Sequence, residues 1–207
     1  MIELLTADTP NGKKISIMLE EIKFDYKVTK INIFKDEQFK PEFKKLSPFS
    51  KIPVIIDHDD KTSLFESGAI LIYLGEKSGK FYDLNQRTII NQWLMGQMAY
   101  VGPMLGQHHQ FHHYNPGKSN WGEERYFKIA KTIYKDLDER LKRSKFLAGE
   151  YSIADIATFP WIARHEWHDI GLKNFKNLTR WYNEISDRKA VIKGFDLLNR
   201  DEKIPKP

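Results

Sequence analysis

Two short polar stretches stand directly before apolar helical patterns, where their side chains can do chemistry. The first, "ADTPNGKK" at residues 7–14, offers the Thr9 hydroxyl and the Asn11 amide, and the second is the pair Glu66 and Ser67. A helix N-terminus presents unpaired backbone N–H groups and partial positive charge, so it can hold an anion such as a carboxylate. Thr9, Asn11 or Ser67 can equally cap its own helix and bind nothing. Both interpretations remain open from these residues alone.

A third stretch, "HHQFHH" at residues 108–113, contains four histidines. His108 and His112 are four residues apart, as are His109 and His113, and this spacing puts each pair on one face of a helix. However, no glutamate stands where a zinc protease motif needs it, and no cysteine or nearby carboxylate completes a ligand shell. We therefore predict no metal site, and expect a histidine-rich helix end or loop that lines a pocket.

The composition limits the chemistry that the protein can do on its own. The chain contains no cysteine, which excludes disulfides, thiolate metal sites and protein-thiol nucleophiles. Any sulfur chemistry must therefore use the thiol of a ligand. The net charge is +5, from 33 basic and 28 acidic residues that are scattered along the chain. This distribution favours lysine-rich solvated helices over a nucleic-acid-binding surface.

The sequence also gives an expectation about location. The longest apolar run covers residues 69–74 and is far shorter than the roughly 20 residues that cross a bilayer. The first residues, Met1-Ile2-Glu3, lack the basic and apolar segments of a secretory signal. We expect a cytoplasmic protein without a membrane span.

The first eighty residues alternate between strand and helix patterns. The opening unit is a strand, a helix with apolar residues at Ile15, Met18, Leu19 and Ile22, and a second strand, which is typical of a crossover between parallel strands. An irregular segment, a hairpin and a second helix follow. The predicted strands cover 2–5, 26–33, 54–56 (directly after Pro53) and 63–65. The predicted helices cover 13–22 and 66–79, the second beginning with a capping serine.

The rest of the chain has almost no strand signal. Helical stripes run through 121–143 and 175–185, and "SIAD" at 152–155 matches a capping box formed by Ser152 and Asp155. Turn-forming residues at 80–86 mark a boundary. We predict an α/β domain at 1–80 with parallel and antiparallel strand pairs, and an all-helical domain at 86–207.

Several motifs in this order resemble the glutathione transferases. They are "SKIPVI" at 50–55, "LFESGAILIYL" at 64–74 and "YSIADI" at 151–156. Three further stretches resemble more narrowly the bacterial nu class: "TPNGKKISIMLEE" at 9–21, "KDEQFKPEFKKLSP" at 35–48 and "VGPMLGQHHQFHHY" at 101–114. The resemblance covers the chain from residue 1 to about residue 190. It implies a thioredoxin-like N-terminal domain with a mixed four-stranded sheet, an all-α C-terminal domain and a homodimer.

The resemblance also assigns residues to glutathione. It implies that Asn11 and Thr9 are catalytic, because the family seats the glutathione sulfur where the first strand passes into the first helix. Hydrogen-bond donors at a helix N-terminus lower a thiol pKa from its usual value near 8.5 by favouring the charged form. We expect Asn11 to be the functional donor more than Thr9. The implied glutathione-binding residues are Asn11, Gln38, Lys51, Ile52, Pro53, Glu66 and Ser67.

Each of these positions also has a plain structural interpretation. Pro53 matches the family's cis proline, which lets the Ile52 backbone pair with glutathione, although the trans form is the default for an X–Pro bond. Glu66 and Ser67 match the pair that holds the γ-glutamyl ammonium and carboxylate. Gln38 and Lys51 can instead be solvated side chains.

The functional expectation is an enzyme, a glutathione-dependent disulfide-bond reductase with transferase and peroxidase activity. Nu-class members bind two glutathione molecules or glutathione disulfide, so glutathione is the expected co-substrate and no metal is needed. The expected partners are glutathione, a disulfide or electrophilic small molecule, and a second copy of the chain, without nucleic acid or membrane. The alternative is a noncatalytic glutathione-binding or protein-interaction module with the same fold.

Overall fold

The computed structural model describes residues 1–198 and 200–207, and these divide into two compact units. Unit 1 consists of Met1–Asp83 and Arg188–Lys203, and unit 2 consists of Leu84–Asp187 and Ile204–Pro207. The segment 188–203, which the sequence analysis assigns to the second domain, therefore groups with the first. Its helix packs on the first helix of the chain, as described below.

Unit 1 is built on a mixed sheet of four strands, which are β1 (Ile2–Thr6), β2 (Tyr26–Lys30), β3 (Val54–Asp57) and β4 (Thr62–Phe65). Their order in the sheet is β2-β1-β3-β4. The strands β1 and β2 are parallel, whereas β1 pairs with β3 and β3 with β4 in the antiparallel sense. This arrangement confirms the predicted mixed sheet.

The strand register brings four chain segments to one edge of the sheet. Leu5 of β1 pairs with Thr29 of β2 on one side and with Val54 of β3 on the other, and Val54 pairs with Phe65 of β4. The last residues of β1, β2 and β4 and the first residue of β3 therefore lie side by side. The segments that follow or precede them emerge at this same edge, which we call the site edge.

The helix α1 (Pro10–Ile22) forms where the apolar spacing predicts it, but it begins three residues earlier than predicted. Pro10 occupies its first turn, where the missing N–H of proline costs nothing. Its apolar residues Ile15, Met18, Leu19 and Ile22 are buried. Lys23 ends it in the left-handed conformation. The helices of unit 1 are α1 (Pro10–Ile22), α2 (Pro41–Leu46), α3 (Ser67–Ser78) and α9 (Lys189–Phe195), and two 3₁₀ turns cover Ile33–Lys35 and Glu37–Phe39.

The helix α9 packs on α1 through close backbone contact. The Ser16 hydroxyl donates to the Gly194 carbonyl at 2.5 Å, and a Cβ on Gly194 would lie 2.5 Å from the Cα of Ile17. Only glycine permits this approach. At the start of α9, Arg188 forms a two-pronged ion pair with Glu21, with Nε–Oε1 and Nη2–Oε2 distances of 2.5 and 2.9 Å. These contacts explain why 188–203 belongs to unit 1.

Unit 2 is helical, as predicted, and only two isolated β-bridges occur in its described residues. None of the helices in the described part of the chain combines the length and the hydropathy that a bilayer crossing needs. The helices are α4 (Arg87–Gly96), α5 (Gly102–His108), α6 (Asn120–Lys142), α7 (Ile153–Ile162) and α8 (Lys176–Ser186), and π-helical segments cover Gln97–Val101 and His109–Tyr114.

The predicted capping box at the start of α7 is present and is part of a larger buried network. Asp155 is fully buried and accepts hydrogen bonds from the backbone N–H of Ser152 at 3.1 Å, the backbone N–H of Leu147 at 2.9 Å and the Trp181 indole at 2.8 Å. The Ser152 hydroxyl is a fourth donor to this carboxylate, at 3.3 Å. Burial nevertheless raises the pKa of Asp155 to about 6, because the effect of desolvation outweighs that of the four hydrogen bonds. One side chain thus joins α7, α8 and the loop before α7.

Candidate functional site

The site edge of unit 1 gathers the residues that the sequence analysis assigns to glutathione. The chain leaves β1 into the start of α1, leaves β2 into the 3₁₀ turns and α2, enters β3 through Pro53, and leaves β4 into the start of α3. The predicted residues are more than fifty positions apart along the chain, from Thr9 to Ser67. The sheet register is what brings their segments together.

The start of α1 is held by Thr9. Its hydroxyl oxygen accepts from the backbone N–H of Gly12 at 3.2 Å, and its carbonyl accepts from the backbone N–H of Lys13 at 3.0 Å. The capping interpretation of Thr9 is therefore confirmed. Asn11 lies in the first turn of the helix and is half-buried. The backbone N–H groups of this first turn give the N-terminus of α1 a partial positive charge at the site edge.

Gly12 is required by close packing. A Cβ at this position would lie 2.4 Å from the Ala7 carbonyl oxygen and 2.5 Å from the Thr6 hydroxyl oxygen. A glycine therefore lets the first turn of α1 lie directly against the loop that follows β1. This proximity fixes where the helix N-terminus points.

The residues before β3 form a tight turn that ends in a cis peptide bond between Ile52 and Pro53, which confirms the predicted cis proline. The Lys51 N–H donates to the Ser47 hydroxyl at 3.1 Å, and that hydroxyl donates to the Lys51 carbonyl at 2.8 Å. Ser50 between them has a positive φ of 54°. The Lys51 side chain is exposed, and Ile52 packs against the core around Phe43.

Gln38 is folded back onto its own turn. Its amide nitrogen donates to the Ile33 carbonyl at 3.4 Å, and its amide oxygen is buried without a hydrogen-bond partner among the described residues. A buried acceptor without a donor costs free energy, so such a group is a candidate ligand contact.

The start of α3 differs from the simple capping interpretation. Ser67 is the first helical residue and Glu66 is the N-cap, and no side chain caps the helix. The idea that Ser67 acts as the N-cap is therefore wrong. Glu66 has φ 69° and ψ 113°, a sparsely populated backbone conformation for a residue with a Cβ. Such strain is a common feature of functional sites.

The structure adds one residue that the sequence analysis does not assign. Lys14 is only 2% exposed, and its ammonium group lies 3.3 Å from the Ser67 hydroxyl oxygen. A lysine next to the apolar stripe of an amphipathic helix normally points to solvent. Here α1 is covered by α3 as well as by the sheet, so the side chain is enclosed.

Burial changes the acidity of this lysine. Desolvation lowers the pKa of Lys14 to about 7, and the nearby Glu66 carboxylate only partly opposes this effect. Lys14, Glu66 and Ser67 together present a cation, an anion and a hydroxyl at the helix N-terminus of α3. An amino acid head group carries an ammonium and a carboxylate, so this set of groups fits the γ-glutamyl end of glutathione.

The histidine stretch belongs to unit 2 and is mostly enclosed by aromatic rings. His108 and His109 are buried, and the ring of His109 stacks on those of Trp161 and His168 at centroid distances of 5.9 and 4.6 Å. Desolvation lowers the pKa of His109 to about 3, so this ring is neutral. Across the described residues, no group of three or more histidines or carboxylates could hold a metal ion.

Comparison with known proteins agrees with this geometry. Residues 3–76 match the family model of the glutathione S-transferase N-terminal domain, and residues 123–189 match that of the C-terminal domain. The disulfide-bond oxidoreductase YfcG of Escherichia coli K12 is 43% identical over 199 residues, which cover 92% of this chain and 93% of YfcG.

Solved structures are similar over almost the whole chain. A glutathione transferase from Burkholderia graminis with two glutathione molecules per subunit is 38% identical, with a TM-score of 0.89 over 96% of this chain and 89% of that one. One from Pseudomonas putida with a glutathione disulfide per subunit is 40% identical, with a TM-score of 0.87 over 95% and 91%. The chain therefore belongs to the glutathione S-transferase family and is a glutathione transferase-like enzyme.

Proposed function

We propose that this enzyme reduces disulfide bonds with glutathione, which it activates as a thiolate at the N-terminus of α1. In the overall reaction two glutathione molecules are oxidised to glutathione disulfide, and the two sulfurs of the substrate disulfide are released as thiols. Bound glutathione supplies the attacking sulfur, because the chain has no cysteine. The residues of the chain bind the tripeptide, orient it and stabilise the charge on its sulfur.

The observation that carries the proposal is the meeting of two helix N-termini at one sheet edge. The start of α1 offers N–H donors and the Asn11 amide for an anionic sulfur, and the start of α3 offers Lys14, Glu66 and Ser67 for a zwitterionic head group. A tripeptide with a carboxylate and an ammonium at one end and a thiol in its middle matches the groups at both helix N-termini.

The remaining predicted residues complete the proposed binding site. The backbone of Ile52, next to Pro53, pairs with the cysteinyl part of glutathione in the manner of a strand. The buried oxygen of Gln38 accepts an N–H of the peptide, and the exposed Lys51 ammonium meets the glycyl carboxylate. Thr9 positions the helix start through its cap, and Asn11 is the side-chain donor to the sulfur.

The proposal extends to properties that the named relatives suggest. YfcG and YghU of Escherichia coli are named disulfide-bond oxidoreductases, which supports disulfide reduction as the main activity. Two glutathione molecules or one glutathione disulfide per subunit, as in the two solved relatives, suit a reaction that joins two glutathione sulfurs. We include transferase and peroxidase activity, a homodimer and a cytoplasmic location, which the resemblance implies.

Reduction of a small hydroxyalkyl disulfide by glutathione tests the proposal. If Asn11→Ala raises the pKa of the bound thiol by about one unit, the rate at pH 7 falls about tenfold and recovers at pH 9, where the thiol ionises without help. The exposed Asn174 provides a matched control, and Asn174→Ala should leave the rate unchanged. Glutathione binding without turnover of any disulfide would contradict the proposal and favour the noncatalytic module.

A further inference from the structure

The segment 30–51 of unit 1 has an unusual charge. It contains six lysines against three carboxylates, a net charge of +3, whereas the rest of residues 1–83 has seven lysines against eleven carboxylates, a net charge of −4. The described carboxylates form no ion pair with Lys35, Lys44 or Lys45, and all three lysines are exposed. The basic charge of this segment is therefore directed to solvent.

The same segment exposes large aromatic side chains. Phe34 is 93% exposed and Phe39 is 59% exposed, whereas Phe43 in α2 is buried and anchors the segment in the core with Leu5 and Val54. The exposed rings thus take no part in that core. The two 3₁₀ turns that carry them are fixed to each other, because the Gln38 amide bonds to Ile33 and the Glu37 carboxylate accepts from the Asn32 N–H at 2.7 Å.

We call the residues Phe34, Lys35, Phe39, Lys40, Lys44 and Lys45 the Phe–Lys surface. An exposed pair of aromatic side chains with lysines around it is typical of a protein-binding surface, since aromatic residues anchor contacts and charge selects the partner. In a two-fold dimer of this chain, the surface would meet its own positive charge on the symmetry axis, so pairing of the surface with itself is disfavoured. The segment 30–51 contains no arginine and does contain carboxylates, and both features disfavour binding to the phosphate backbone of a nucleic acid.

We propose that the Phe–Lys surface docks acidic polypeptides that carry a cysteine in a mixed disulfide with glutathione. This inference rests on the proposed function and names its substrate class. Phe39 follows Gln38, a proposed glutathione contact, in the same turn, so the Phe–Lys surface begins beside the proposed glutathione site. The bound glutathione thiolate attacks the glutathione sulfur of the mixed disulfide. Glutathione disulfide forms, the bond to the protein sulfur breaks, and the protein leaves as a thiolate that takes up a proton.

Two glutathionylated peptides of equal length test the proposal, one with acidic and apolar residues around its cysteine and one with basic residues. We expect kcat/KM for the acidic peptide to exceed that for the basic one by about tenfold at low salt. Lys44→Glu with Lys45→Glu should remove this preference, and Phe34→Ser with Phe39→Ser should lower kcat/KM for the acidic peptide severalfold. Turnover of a small neutral disulfide should persist in both variants. The exposed lysines of α6 give the control, Lys128→Glu with Lys135→Glu, which should keep the preference.

Equal turnover of the two peptides by the unmodified enzyme would overturn the docking proposal while leaving the proposed function intact. The same holds if the variants lose the small disulfide and the acidic peptide in equal proportion. Direct binding of fluorescent peptides, measured by anisotropy, tests the docking proposal separately from the proposed function, because it needs no turnover. Tighter binding of a single-stranded RNA than of the acidic peptide at equal charge would also overturn it.

Discussion

Replacing Lys14 by methionine tests the burial of a cation at the start of α3. The side chain is 2% exposed, so methionine keeps its apolar stem within the same packing and removes only the charge. Lys14 lies next to Ser67 and Glu66, and its pKa is lowered from 10.5 to about 7, chiefly by burial. We expect the Lys14→Met protein without glutathione to gain stability relative to the original protein as the pH falls.

The size of the effect follows from the pKa. Below pH 7 the lysine is charged in both the folded and the unfolded protein, and the difference between 10.5 and about 7 corresponds to about 5 kcal/mol of excess burial cost. At pH 9 the folded lysine is neutral, and the remaining cost is that of deprotonating it, about 2 kcal/mol. The lowered pKa therefore makes a stability contribution that is present above pH 10.5 and is lost as the pH falls through about 7.

Urea unfolding of both proteins at pH 6 and pH 9 measures this difference. The stability of Lys14→Met minus that of the original protein should be greater at pH 6 than at pH 9, by about 3 kcal/mol. Titrations of other groups cancel in the subtraction. An equal difference at the two pH values would refute the reasoning, since it would mean that the lysine keeps an ordinary pKa in the folded protein.

Three further predictions concern other residues. Glu66→Gly should raise the unfolding free energy by about 1 kcal/mol by relieving the positive φ, yet weaken glutathione binding measured by calorimetry; unchanged affinity would exclude a role for the carboxylate. Gly12→Ala should cost about 1–3 kcal/mol in urea unfolding, because its Cβ overlaps the Ala7 carbonyl; equal stability would contradict this close contact. Asp155→Ala should cost about 3–5 kcal/mol at pH 4.5, because the buried N–H donors of Leu147, Ser152 and Trp181 lose their acceptor. The cost should be about 2 kcal/mol smaller at pH 7, because the raised pKa of Asp155 makes a stability contribution that is lost as the pH rises through about 6; a cost independent of pH would contradict this reasoning.

The order of elements could be predicted from the sequence because local patterns determine it. The apolar spacing in α1, the capping box at Asp155 and the proline before β3 each depend on a few neighbouring residues. The position of α9 could not be predicted, because it depends on Ser16 and Gly194, which are distant along the chain and meet only in the folded unit. A serine on a helix gives no signal for such a contact.

The candidate site was predictable in its position and less so in its contacts. Its segments follow from the strand order, and the resemblance supplied Thr9, Glu66 and Ser67. The sequence pattern does not indicate Lys14, because a charged residue on a helix normally points to solvent unless a second helix covers it, and here α3 provides that cover. The pattern favours Ser67 as a cap, because serine before an apolar run usually is one, whereas the N-cap position is taken by Glu66 and the helix begins at Ser67.

The central claim is that the N-terminus of α1 holds the sulfur of glutathione as a thiolate. Ultraviolet absorbance of the thiolate, recorded against pH for glutathione bound to the enzyme, measures the pKa of that sulfur directly. We expect the pKa of the bound thiol to lie at least about one unit below the value near 8.5 of a free thiol, and to return toward 8.5 in Asn11→Ala. A bound thiol that ionises at the same pH as free glutathione would contradict the account.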